Sequence, residues 1–158
     1  MLALQIDEVK TFMNRLLAGS VFDSFLFVEG ALQMGFSYEF DGHLNHDFYA
    51  EGELAGISEE EIYIPYSQVR HVLFSLIRGK RTPLSFRLTL QANTSQTQTL
   101  LSSVSSAASV KGLLLNIRYD GQKVMLTSGV NYSTFSFDKA PEHTWDQWLT
   151  EFIKSLSL

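Results

Sequence analysis

The chain has 158 residues, 45% of them hydrophobic, with only three prolines and ten glycines, a size and composition suited to one compact domain with its own core. It has no cysteine, which excludes disulfides, thiol nucleophiles, iron–sulfur clusters and Cys-based zinc sites and fits a reducing compartment, the cytoplasm by default. The net charge of −5 conceals two opposed fields. Residues 1–61 carry twelve acids against Lys10 and Arg15, a formal charge of −10, and residues 62–119 carry seven bases and no acid. Such polarity equips one part of the surface to attract phosphate or an acidic partner and another to repel them. A pI near 5.3 argues against non-specific coating of nucleic acid, so any such contact has to be local and oriented.

The opening stretch MLALQIDEVK has neither a basic n-region nor an apolar h-region, and no later apolar run approaches the length of a membrane span, so secretion and membrane insertion are not expected. Ile6, Val9, Met13, Leu16 and Leu17 fall on one stripe, predicting a helix over Asp7–Ala18 that Gly19 stops. Phe25–Met34 is apolar on both alternating sets apart from Glu29, as in a strand covered on both faces. Phe36, Tyr38 and Phe40 alternate with Ser37, Glu39 and Asp41, and a tight turn at Gly35 joins this second strand to the first. Periodicity fails from Gly42 to Pro65, where Glu51, Glu53, Glu59, Glu60 and Glu61 crowd an exposed, solvated connection.

Val69, Val72, Leu73, Leu76 and Ile77 predict a helix over Ser67–Arg78, ended by Gly79 and blocked by Pro83. Leu84, Phe86, Leu88 and Leu90 alternate with Ser85, Arg87, Thr89 and Gln91, a strand with one buried and one polar face. Asn93–Val110 is rich in Ser, Thr and Gln and supports only a weak helix. Leu113–Tyr119 and Gln122–Ser128 flank Asp120-Gly121, a dipeptide suited to a two-residue type I′ hairpin. Val130–Phe137 reads as a further strand, and Pro141 opens a last helix with Trp145, Trp148, Leu149, Phe152 and Ile153 on one face. Hairpin-linked strands with packed helices predict an α+β domain, with a largely antiparallel sheet of about six strands.

The segments MLALQIDEVKTFMNRLL, LIRGKRTPLSF, GLLLNIRYDGQ and FSFDKAPEHTWDQWL resemble a small family of uncharacterised bacterial single-domain proteins. The likeness spans the chain. It implies a bacterial protein of one domain and, since no activity, cofactor or partner is attached to that family, it carries over no functional residue.

The residues themselves offer one main candidate. Arg78, Lys80 and Arg81 in RGKRTP, with Arg70 two turns upstream and Arg87 on the polar side of the following strand, can clamp a phosphate through charge-assisted bonds. The plainer reading is that RGKR completes its helix, because cations at a helix C-terminus are favoured by its partial negative charge. Gly79-Lys80 is not a P-loop, as Phe74 and Arg81 stand where the motif needs Gly and Ser or Thr. Counting outward from Asp120-Gly121 sets Arg118 opposite Lys123, a repulsion that an acid or a bound anion relieves, as do side chains splayed into water. Asp41, His43, His46 and Asp47 are metal-ligand types at a spacing that also fits a solvated turn. No catalytic motif is present, and no cofactor is implied. The expected function is a non-enzymatic binding protein for a phosphate-bearing ligand or nucleic acid. The alternative is a homo-oligomer joined through its acidic (1–61) and basic (62–119) segments.

Overall fold

The computed structural model of the protein describes every residue except Gly56, Ser58 and Lys80. In chain order the described elements are β1 (Ala3–Ile6), α1 (Val9–Leu17), β2 (Phe25–Gln33), β3 (Ser37–Asp41), β4 (Ile64–Pro65) and α2 (Tyr66–Ile77). There follow β5 (Ser85–Ala92), α3 (Thr94–Leu100), β6 (Val110–Tyr119), β7 (Val124–Tyr132) and α4 (Ala140–Ser155). The strands form one antiparallel sheet in the order β1-β7-β6-β5-β2-β3, with β4 pairing to β2 beyond the end of β3. The architecture is therefore α+β, with seven strands where the sequence predicts about six. No described helix is long and apolar enough to cross a membrane.

Register explains the core. Leu32, Phe86, Tyr119 and Val124 are successive cross-strand partners, as are Leu88, Ile117 and Leu126, so their side chains share one face. Against that face lie Phe12 and Leu16 of α1, Tyr66 and Leu73 of α2, and Trp145, Leu149 and Ile153 of α4, all within one buried cluster. Polar bonds fix the helices on it. The Tyr66 hydroxyl donates to Leu16 C=O at 3.0 Å, and Trp145 Nε1–H donates to Leu114 C=O at 2.8 Å. Ser128, buried in β7, hydrogen-bonds Asp146 of α4 through its hydroxyl.

Several elements differ from the sequence reading, each for a physical reason. Ile6 sits in β1 and not on the helix stripe, because Leu4 and Ile6 also alternate with period two and find Leu126 and Val124 as partners. The short β4 has no periodicity to reveal it and exists only through pairing with Leu26 and Phe27. No separate strand spans Val130–Phe137: Gly129 stays in register opposite Leu114, so β7 runs on to Tyr132, and Phe135 and Phe137 follow in irregular, exposed chain. The two-sided apolar pattern of β2 is real, since Leu26 and Ala31 are buried although they lie on the face that no helix covers.

The β6–β7 turn is also shifted by one residue. Asp120 N–H donates to Lys123 C=O at 3.2 Å, so Gly121 and Gln122 are the central pair. Gly121 has φ of +100°, whereas Gln122 does not take positive φ, which fits a type II′ turn and not the expected type I′. Arg118 consequently faces Met125 and not Lys123.

Candidate functional site

The face of the sheet turned away from the helices is built by the complementary alternation set. Its central row, read across the strands, is Gln5, Met125, Arg118, Arg87, Ala31 and Glu39. The next row is Thr127, Asn116, Thr89, Glu29 and Asp41. Met125 apart, these side chains are polar or small, because one face of an antiparallel sheet can stay in water while the other carries the core. Within the second row Thr89 Oγ1 donates to Asn116 Oδ1 at 2.9 Å.

Arg87 and Arg118 are direct cross-strand partners, so the two side chains leave the same face of the sheet, with Cβ atoms about 5 Å apart. Their local neutralisation is slight. Glu29 Oε1 lies 3.8 Å from Arg87 Nη1, both side chains being about half exposed, and among the described residues no carboxylate pairs with Arg118. Asp120 is close in sequence, but its carboxylate accepts from Gln122 N–H at 2.9 Å and Lys123 N–H at 2.8 Å. Those two main-chain bonds hold its pKa below the ordinary carboxylate value.

The arginines line two adjoining grooves. One, of about 400 Å³, includes Glu29, Thr89, Asn116, Met125 and Thr127. The other, of about 280 Å³, includes Ala31, Gln33, Ser85 and Asp120. The pair thus stands between two concavities that offer hydroxyl and amide groups beside its own donors.

The residues singled out from sequence do not converge as a group. Arg70 faces inward: Nε and Nη2 donate to the two oxygens of Asp23 at 2.8 and 3.1 Å, and Nη1 reaches Leu17 C=O at 3.4 Å. Its fork fastens α2 to the chain leaving α1. Arg78 and Arg81 are exposed in the turn that leads from α2 into β5 and line neither groove; Lys80 lies outside the described residues. Among the described members of the set only Arg87 stands on the uncovered face, and its partner Arg118 is the residue that sequence reasoning left out of the site. The signal was present in the alternation of both strands, but it needed the β5–β6 register to be read.

Among the metal-ligand types, His43 bonds Asp41 through both its main-chain N–H at 3.0 Å and Nδ1 at 2.6 Å. His46 and Asp47 sit in an exposed 3-10 turn, and no group of three or more His, Asp or Glu side chains gathers as a metal site among the described residues. The acidic connection is not uniformly solvated. Glu61 is 8% exposed, and its Oε1 accepts from Thr94 N–H at 2.9 Å, capping α3. It lines a cleft of about 500 Å³ with Asp23, Ser24, Glu60, Asn93 and Gln98. That cleft, although larger, is acidic and lies at the opposite end of β5 from the RGKR turn. Eight residues of β5, at about 3.3 Å each, separate the two ends by roughly 25 Å.

The family model for DUF5721, described as a family of unknown function, matches residues 15–158. Neither the curated proteins nor the solved structures gave a match.

Proposed function

The chain belongs to this family of unknown function, DUF5721, and from its geometry we propose a binding protein whose uncovered sheet face receives a compact phosphate- or carboxylate-bearing ligand between Arg87 and Arg118. The observation that carries the reading is the direct opposition of two arginines of which, among the described residues, only Arg87 has an ion pair, a loose one to Glu29. Like charges set opposite each other disfavour the sheet modestly, and an anion between them replaces that repulsion with charge-assisted bonds from two forks. Thr89, Asn116 and Thr127 add neutral partners in the groove.

The ligand class follows from what the face lacks and what rims it. Neither the Arg87 row nor the Glu29 row contains an aromatic side chain, and single-stranded nucleic acid is normally held by bases stacked on aromatic rings. Glu29, Glu39 and Asp41 border the arginines and repel a long polyanion. A small anion fits better than nucleic acid. Arg78, Lys80 and Arg81, placed just before β5 in the chain, add long-range attraction. Absent cysteine and the family resemblance support a bacterial cytoplasmic setting for one compact domain.

The test is titration of the protein with pyrophosphate at two salt concentrations, alongside an Arg87→Ala/Arg118→Ala double variant and an Arg78→Ala/Lys80→Ala/Arg81→Ala triple variant. Binding that weakens with salt, vanishes in the double variant and survives in the triple variant supports the reading. Binding that ignores the double variant refutes it. A second reading, a homo-oligomer held by complementary charge, is favoured by one observation: Glu61 of the acidic connection lies in the cleft at the opposite end of β5 from Arg78 and Arg81. A monomer at every protein and salt concentration by sedimentation removes it.

A further inference from the structure

We propose that the free edge of β3 binds an extended peptide segment in which basic residues alternate with apolar ones, adding it to the sheet as a further strand. The strand ends the sheet order, and hydrogen-bond parity shows which of its residues look outward. Met34 N–H donates to Phe36 C=O at 3.1 Å, and Gly42 N–H donates to Val28 C=O at 2.8 Å. Bonded pairs alternate along an antiparallel ladder, so Tyr38 and Phe40 direct their main-chain groups at β2, and Ser37, Glu39 and Asp41 direct theirs away from it. Among the described residues no partner meets those outward groups. Five residues of open edge extend for about 17 Å.

The two sides of this edge differ in chemistry. On the helix side Phe36, Tyr38 and Phe40 form a row, with ring centroids 4.8 and 6.3 Å apart, and Phe36 is 69% exposed. On the other side stand Glu29, Glu39 and Asp41, with Glu29 and Asp41 directly opposite each other. Glu39 has no described ion-pair partner. Asp41 remains anionic to low pH, because the bonds from the His43 main chain and ring hold its pKa below the ordinary carboxylate value. A strand laid along β3 therefore meets acids with one set of its side chains and aromatic rings with the other, and recognition by such edge addition combines main-chain bonds with alternate side-chain selection.

A second copy does not satisfy this surface. Two-fold pairing of β3 with itself, centred on Glu39, sets Glu39 against Glu39, and like charges directly opposed disfavour pairing. The sheet's other terminal strand, Ala-Leu-Gln-Ile in β1, has no base to offer. The same acids that guard the edge against self-association select a basic strand.

A short fluorescent peptide of alternating lysine and valine is the probe, with its glutamate–valine counterpart as control and backbone amide NMR as the second readout. The expected result is saturable binding of the lysine peptide alone, with hydrogen-exchange protection gained at Ser37, Glu39 and Asp41. Binding should weaken about tenfold or more in Glu39→Lys/Asp41→Lys, a surface double variant that keeps the fold. In Arg87→Ala/Arg118→Ala it should be unchanged or tighter, which separates this site from the anion site. Equal binding of both peptides, no loss in the lysine variant, protection elsewhere, or a wild-type dimer protected along β3 would each overturn the proposal.

Discussion

On the helix-covered face Leu88, Ile117 and Leu126 meet across three strands with 4% exposure or less. One residue earlier or later on the same strands, Arg87, Arg118 and Met125 meet in solvent on the other face. The backbone and its ladder are common to both rows. What differs is the cost of change, since apolar groups on the first face are locked against α1, α2 and α4 and the second face has no helix to satisfy. Stability is concentrated on one side, and the other is free to carry recognition groups whose mutual repulsion the core can bear.

The largest effect expected from this contrast is at Trp145, fully buried, ring-stacked on Trp148 and bonded to Leu114. Trp145→Ala should cost about 3–5 kcal/mol in urea unfolding, and a loss below about 1 kcal/mol would break the division. Gly42→Ala, just after β3 and opposite the irregular part of β2, sharpens it. A Cβ there would stand 1.9 Å from Phe27 O, so the strand has to move, at about 1–3 kcal/mol by the same measurement. Arg70→Ala, which strips Asp23 of its bidentate partner, should cost about 2 kcal/mol yet leave pyrophosphate binding intact. An equal loss of binding would return Arg70 to the site.

Arg87→Ala/Arg118→Ala marks the far end of the scale. Its stability should stay within about 0.5 kcal/mol of the parent, with any change upward as the like-charge opposition is removed. The smallest effect concerns Asp120. Its pKa is lowered in the fold by the Lys123 and Gln122 N–H bonds. Its contribution to the β6–β7 turn is therefore complete above the ordinary carboxylate value of about 3.9, and it fades as pH falls through the lowered one. Amide shifts of Gln122 and Lys123 should titrate below that value, and titration at or above it would contradict the turn geometry.

The sequence was most legible where periodicity is enforced by burial. Alternation located β5 to within a residue or two, because Phe86, Leu88 and Leu90 must enter the core and Arg87 and Thr89 must not. Segments with no buried period were lost: β4 exists by pairing alone, and the chain from Ser133 to Lys139 alternates Phe135 and Phe137 without burying either. The site was half legible. Arg87 is visible as the exposed member of an alternating strand, but its partnership with Arg118 depends on strand order and on the β5–β6 register, which no short turn fixes. Arg70 shows the opposite failure, a cation prominent in sequence whose fork is engaged by an acid 47 residues away.

The most direct test of the account is an NMR titration of the arginine Nε–Hε signals with pyrophosphate. Shifts concentrated on Arg87 and Arg118, with Thr89 and Asn116 amides following and Arg70 unmoved, are the predicted result. Shifts centred on Arg78 and Arg81, or none at any concentration, would contradict the assignment of the uncovered face as the anion site.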